Sequence, residues 1–117
     1  MTEVQIFGTK KSAATRAALR FFAERRIRTH FVDLTQRAAS LGELRRFAQR
    51  FGVRELVDRQ SRRFADLGLG AAGYGEDRWL QLLVDEPLLL RQPLVRRGNR
   101  LVLGEDRAAW HSLTIDD

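Results

Sequence analysis

An α/β fold with a four-stranded mixed sheet flanked by helices is the fold class that this sequence predicts, and three observations lead to it. A strand, a helix and a second strand follow one another up to Leu34. The middle of the chain carries only helical patterns, and a β-hairpin and a short helix close the chain. Because a β-α-β unit places its strands parallel and a hairpin places them antiparallel, the sheet is expected to be mixed.

The β-α-β unit begins with a strand at Val4–Phe7, where apolar residues alternate with Gln5. The turn Gly8–Lys11 follows and leads to Ser12, whose hydroxyl can cap a helix by accepting a hydrogen bond from a backbone N–H. Apolar residues then recur at helical spacing, with arginines on the outer face. A second strand is predicted at Thr29–Leu34, parallel to the first.

The middle of the chain, about residues 38–90, is predicted to be a helical insertion. Ser40–Glu43 has the S-x-x-E pattern of a capping box, and Gly52 is predicted to end the helix that follows. Three further helical segments are predicted: Glu55–Asp58, Arg62–Leu67 and a helix carrying Trp79, Leu82 and Leu83 that Pro87 limits.

The C-terminal part contains the clearest hairpin pattern, in which Gly98-Asn99 separates Leu94–Arg97 from Arg100–Leu103. A final helix is predicted over Glu105–Leu113, with Trp110 facing inward. The complete order, β-α-β, helical insertion, β-β-α, is the plan of a thioredoxin-like fold. The whole chain, residues 1–117, is therefore predicted to be a single domain.

Composition limits the chemistry that is open to the chain. It has no cysteine, so it offers no thiolate for redox catalysis and no disulfide. The net charge is +6, and Lys10 and Lys11 are the only lysines among 21 cationic residues. An arginine-rich surface suits phosphate, carboxylate or acidic protein partners. Without a long apolar run or a secretory signal pattern, the expected location is the cytoplasm, away from membranes.

Four stretches, in a fixed order along the chain, carry a resemblance to a known family. They are Ile6–Ser12, Ser61–Leu69, Glu86–Val95 (EPLLLRQPLV) and Arg100–Gly104. Their order and spacing resemble the ArsC/Spx family, which includes arsenate reductases, the transcription regulator Spx and YffB-type proteins. The resemblance covers nearly the whole chain and implies a thioredoxin-like fold.

Two positions depart from the pattern of that family. Ser12 stands where the family carries its redox cysteine, and Gln92 stands where it carries an arginine before a cis proline. The resemblance therefore implies a cis bond at Pro93 and an anion-attracting helix start without its nucleophile. The candidate anion-binding residues are Lys10, Lys11, Ser12, Arg59, Arg62, Arg91, Gln92 and Pro93.

Other catalytic chemistry finds little support in the sequence. A nucleophilic serine needs a neighbouring base, and His30 and His111 are the only histidines. Each is interpreted as a packing residue, because nothing pairs it with an orienting carboxylate. The acidic residues lack metal-ligand spacing, and the glycine pairs do not follow a strand. The sequence therefore predicts no metal site and no cofactor.

Three functions remain open at this point. The first is a non-catalytic binding or regulatory module, for which the resemblance to Spx implies a protein partner such as RNA polymerase. The second is an arsenate reductase-like or glutathione-linked thiol oxidoreductase whose cysteine is replaced by Ser12, although Gln92 is a second altered position. The third is direct nucleic-acid binding, which ranks last because only the charge supports it.

Overall fold

The computed structural model describes residues 3–115 and contains the predicted mixed sheet. Its strands are β1 (Val4–Gly8), β2 (Thr29–Asp33), β3 (Leu94–Arg97) and β4 (Arg100–Leu103). They lie in the order β2-β1-β3-β4. β1 pairs parallel with β2 and antiparallel with β3, and β3 pairs antiparallel with β4. The predicted combination of a parallel pair with an antiparallel hairpin is confirmed.

The chain divides into two compact units. The first, which we call the sheet unit, consists of the residues up to Leu34 and those from Gln92 onward. The second, the helical unit, is Thr35–Arg91. No helix within residues 3–115 is both long enough and apolar enough to cross a membrane.

The core of the sheet unit forms around two helices, α1 (Ala13–Glu24) and α5 (Arg107–Ser112). The apolar face of α1 includes Phe21 and Phe22, which are buried together with strand residues of the sheet. Trp110 of α5 is fully buried, as predicted, and its ring centroid lies 5.6 Å from that of Phe21 and 6.4 Å from that of Phe22. The two helices therefore share one aromatic cluster.

The helical unit contains α2 (Leu41–Phe51), α3 (Arg62–Asp66) and α4 (Glu76–Asp85). The predicted cap of α2 is confirmed, since the Ser40 hydroxyl accepts a hydrogen bond from the Glu43 N–H at 3.1 Å. The predicted end is also confirmed, because the residue after the helix is a glycine with a φ of +90°. Trp79 of α4 is 2% exposed, in agreement with its predicted core position.

The helical turn predicted at Glu55–Asp58 is wrong in register. The structure has a 3₁₀ turn at Val53–Leu56, and Val57 leaves it to form an antiparallel bridge with Leu90. Two backbone hydrogen bonds flank this bridge at 2.8 Å, from Asp58 N to Leu89 O and from Arg91 N to Leu56 O. Pairing between distant segments thus ends the turn earlier than the local pattern predicts.

An ion pair between Arg63 and Glu86 joins α3 to the segment that follows α4 within the helical unit. The Arg63 Nε–H donates a hydrogen bond to the Glu86 carboxylate. This bond lowers the pKa of Glu86 below its ordinary value, and the same bond raises the pKa of Arg63. Because the folded state favours the ionised carboxylate, the pair stabilises the fold above the ordinary pKa of glutamate. That contribution is lost as the pH falls through the lowered pKa.

Replacing Arg63 with methionine tests this coupling. We expect Arg63→Met to raise the pKa of Glu86 toward its ordinary value, as followed by NMR titration of the side-chain carboxyl carbons. The free energy of unfolding should fall at pH 7, where the pair is charged, and should differ little from that of the parent in strong acid. Arg62→Met is the matched control, because no ion pair involves Arg62 in the described part of the chain. A Glu86 titration that is unchanged in Arg63→Met would contradict the assignment.

Candidate functional site

The turn between β1 and α1 carries the central position of the predicted site, Ser12. The residue is the N-cap of α1, and its hydroxyl accepts a hydrogen bond from the Thr15 N–H at 3.2 Å. Its own backbone N–H donates to the Thr9 carbonyl at 3.1 Å, which closes the turn. The predicted capping role is confirmed. Ser12 thus uses its hydroxyl oxygen to stabilise the start of the helix.

Gln92 holds this turn from the other end of the chain. Its side-chain oxygen accepts hydrogen bonds from the Thr9 N–H at 2.6 Å and from the Thr15 hydroxyl at 3.2 Å. Thr9 is 5% exposed and Thr15 is fully buried, so both donors are shielded from water. The Gln92-Pro93 bond is cis, as the family resemblance implied. The Gln92 side chain is therefore a neutral acceptor at the position where the family resemblance implies a cationic arginine.

Close packing around Gly8 explains why β1 ends in a glycine. A Cβ atom at this position would overlap the Thr15 side chain and would lie 3.1 Å from the Gln92 side-chain oxygen. Real Cβ atoms do not approach another atom as closely as the contact with Thr15 requires, so a side chain at Gly8 would displace Thr15. The strand, the helix and the Gln92 side chain meet at this point because the strand has no side chain there.

The surface of the turn is electropositive. Lys10 and Lys11 are exposed, and the Lys10 carbonyl accepts a 2.7 Å hydrogen bond from the Arg16 guanidinium. The first turn of α1 contains no acidic residue. The positive end of the helix dipole adds to these charges, and such an end attracts anions. Binding of an anion here stays a prediction.

The predicted site residues are divided between the two units. Lys10, Lys11, Ser12, Gln92 and Pro93 belong to the sheet unit, where Thr9 and Thr15 connect Ser12 with Gln92.

The predicted arginines Arg59, Arg62 and Arg91 belong to the helical unit. The Arg59 guanidinium lies 5.6 Å from the ring centroid of Phe64. Arg62 is the exposed first residue of α3. The Arg91 guanidinium is 3.9 Å from the Glu55 carboxylate, with both side chains exposed. Arg59 and Arg91 thus contact side chains of their own unit.

The interpretation of both histidines as packing residues is wrong. His30 lies near the start of β2, an edge strand, and is exposed. His111 follows the buried Trp110, but one residue along a helix is a rotation of about 100°, and His111 is exposed as well. The Ser12 hydroxyl makes its hydrogen bond to a backbone N–H, and no base bonds to it within residues 3–115.

Thr9 and Thr15 are the functional neighbours that the sequence interpretation missed. Thr9 is 83 positions and Thr15 is 77 positions from Gln92 in the chain. Contacts between residues so far apart cannot be predicted from a local sequence pattern. Across residues 3–115, no three His, Asp or Glu side chains are grouped so that they could hold a metal ion. What the turn offers chemically is a capped helix start, a neutral amide and two exposed lysines.

Comparison with known proteins places this geometry in a family. The model of the ArsC family matches residues 7–113. Over 107 residues the chain is 27% identical to an arsenate reductase of Neisseria meningitidis serogroup A, covering 89% of this chain and 92% of that protein.

Two solved structures support the same fold. The structure of a protein named YFFB is similar with a TM-score of 0.87 and 19% identity, covering 96% of this chain and 99% of that one. A glutaredoxin from Archaeoglobus fulgidus is similar with a TM-score of 0.50 and 14% identity, covering 99% of this chain and 89% of that one. The architecture is therefore thioredoxin-like, and the chain belongs to the ArsC family.

Proposed function

We propose that this chain is a non-catalytic binding or regulatory member of the ArsC family, whose β1–α1 turn attracts an anionic group of its partner. The observation that carries the proposal is the role of Ser12. Its hydroxyl caps α1 through the Thr15 N–H, at the position where the resemblance implies a redox cysteine. The chain supplies no thiolate anywhere else.

The chemistry of arsenate reduction supports the proposal. Converting arsenate to arsenite takes two electrons, which thiols provide when two sulfurs are oxidised to a disulfide. An arsenate ester on a serine oxygen has no arsenic–sulfur bond. A second thiol therefore has no sulfur to attack, and no disulfide can form as the bonding electron pair passes to arsenic. A serine nucleophile needs a neighbouring base, and within residues 3–115 the hydrogen bond of the Ser12 hydroxyl is to the Thr15 N–H and not to a base. The amide of Gln92, turned toward Thr9 and Thr15, adds no positive charge for an oxyanion.

The charge of the surface indicates the chemistry of the partner. Lys10, Lys11, Arg16 and Arg20 are all exposed, on the turn and the outer face of α1. The chain carries a net charge of +6. Such a surface favours an acidic protein face, and the resemblance to Spx makes RNA polymerase the first partner to test. Because exposed charges are screened by salt, we expect the affinity to fall as ionic strength rises.

A matched set of turnover assays tests the non-catalytic role. The parent chain, Ser12→Cys and Ser12→Ala are supplied with arsenate, glutathione and either glutaredoxin or thioredoxin, and arsenite formation is measured. We expect no arsenite from the parent chain or from Ser12→Ala, because neither contains a thiol. We expect none from Ser12→Cys either, because Gln92 does not supply the cationic donor of the family pattern. Turnover by the parent chain would contradict the proposal.

One alternative is supported by a specific observation. The N. meningitidis relative named arsenate reductase is matched over 92% of its length, with 27% identity to this chain. This similarity favours an arsenate reductase-like or glutathione-linked thiol oxidoreductase whose cysteine is replaced by Ser12. Arsenite formation by Ser12→Cys would favour this alternative, because it would show that the remaining site is intact.

A further inference from the structure

A cleft of about 600 Å³ lies along α4 in the helical unit. Its apolar lining is formed by Leu67, Leu69, Leu82 and the ring of Tyr74. Leu69 is buried, whereas the other three side chains are only half-buried and leave apolar surface open to the cleft. Volumes of roughly 300–1,000 Å³ are typical of ligand-binding clefts in proteins.

Two carboxylates border this apolar surface at opposite ends of α4. Asp77 lies in the first turn and Asp85 is the last residue, and both are exposed. Eight residues of helix correspond to a rise of about 12 Å. The Asp85 carboxylate also accepts a 3.2 Å hydrogen bond from the Gln81 amide, which orients it beside the cleft.

The third charged side chain of the lining is Arg78, and it stacks on an aromatic ring of the cleft wall. The Arg78 guanidinium lies 4.5 Å from the centroid of the Tyr74 ring, and that ring is 5.2 Å from the ring of Trp79. Such cation–π stacking fixes the guanidinium against the aromatic wall. The cleft therefore presents two carboxylates against one stacked arginine, in a chain whose net charge is +6. Its charge favours a basic ligand, in contrast to the rest of the protein.

We propose that this cleft binds an extended peptide segment of the pattern basic-x-apolar-x-basic. In an extended chain, residues i, i+2 and i+4 face the same side, and i and i+4 are about 13 Å apart. That spacing matches the separation of Asp77 and Asp85 along α4. The central apolar side chain fills the space over Leu69 and Leu82, and the basic side chains at either end pair with the carboxylates.

Peptide binding in this cleft is independent of the β1–α1 turn and of the chemistry at Ser12. The protein then has two binding surfaces: the β1–α1 turn in the sheet unit, which prefers anionic groups, and this cleft in the helical unit, which prefers basic ones.

An NMR titration tests the proposal with a defined probe, the acetylated and amidated peptide Gly-Arg-Ser-Leu-Ser-Arg-Gly. We expect saturable amide shifts at Leu67, Leu69, Tyr74 and Gln81 in the full chain. Two exposed ion pairs contribute roughly a tenfold change in Kd, so the double variant Asp77→Asn/Asp85→Asn should weaken binding about tenfold. The same spectra show whether each variant is folded.

Matched controls separate charge and apolar contributions. Glu76→Gln removes a neighbouring carboxylate of α4 that does not line the cleft, and it should leave Kd nearly unchanged. Peptides with Glu in place of both Arg, or with Ser in place of Leu, should not bind. The proposal is overturned if either control peptide binds as well as the probe, if the double variant keeps the Kd of the parent, or if millimolar probe causes no saturable shift in the cleft.

Discussion

Trp110→Ala is expected to lower the free energy of unfolding by about 3–5 kcal/mol, the range found when a buried aromatic side chain is removed from a core. Trp110 is fully buried and contacts the rings of both Phe21 and Phe22. Its removal leaves a cavity between α1, α5 and the sheet. The Phe21 and Phe22 rings would have to shift from their packed positions to fill it. Urea denaturation followed by circular dichroism measures the loss.

A second substitution at the same position separates ring packing from polarity. The Trp110 Nε1–H is buried and has no hydrogen-bond partner among the described residues. Trp110→Phe keeps a ring and removes this unpaired donor, so we expect it to cost clearly less than Trp110→Ala. The exposed neighbour His111→Ala is the control and should change stability by less than about 0.5 kcal/mol. A Phe variant as unstable as the Ala variant would contradict the expectation that a ring at this position preserves much of the packing.

Those parts of the fold that depend on local chemistry follow from the sequence. Ser12 and Ser40 each precede an amphipathic segment, and both cap the helices predicted from them. The hairpin follows from its Gly98-Asn99 turn, because Gly98 takes a φ of +62° that glycine adopts without strain. The mixed pairing follows in turn, since a crossover helix requires parallel strands and a two-residue loop requires antiparallel ones.

The parts that depend on distant contacts do not follow from local patterns. The bridge between Val57 and Leu90 fixes the register of the 3₁₀ turn before it. This bridge cannot be predicted from the sequence of either segment alone. The burial of a histidine is likewise decided by what packs over it, and His30 lies on an edge strand. At the candidate site, Ser12 and Gln92 were identified as altered positions, but the acceptor role of Gln92 required the structure.

Gln92→Leu is expected to lower the free energy of unfolding by about 2–6 kcal/mol. The substitution leaves two shielded donors, the Thr9 N–H and the Thr15 hydroxyl, without their acceptor, and each such loss costs about 1–3 kcal/mol. Urea denaturation measures the change. Amide hydrogen exchange at Thr9 provides a local readout, and exchange there should accelerate because its hydrogen bond is gone.

Two further variants of the same residue connect this stability to function. Gln92→Glu keeps an acceptor oxygen and should retain most of the stability, whereas Gln92→Arg has only donors and should behave like Gln92→Leu. The turn with its Thr9 and Thr15 donors is therefore adapted to an acceptor and not to the arginine that the resemblance implies, which is why Ser12→Cys alone is not expected to create a reductase. If Gln92→Arg were as stable as the parent chain, the turn would accept the arginine of the family pattern. The double variant Ser12→Cys/Gln92→Arg would then be the form in which reductase activity should appear.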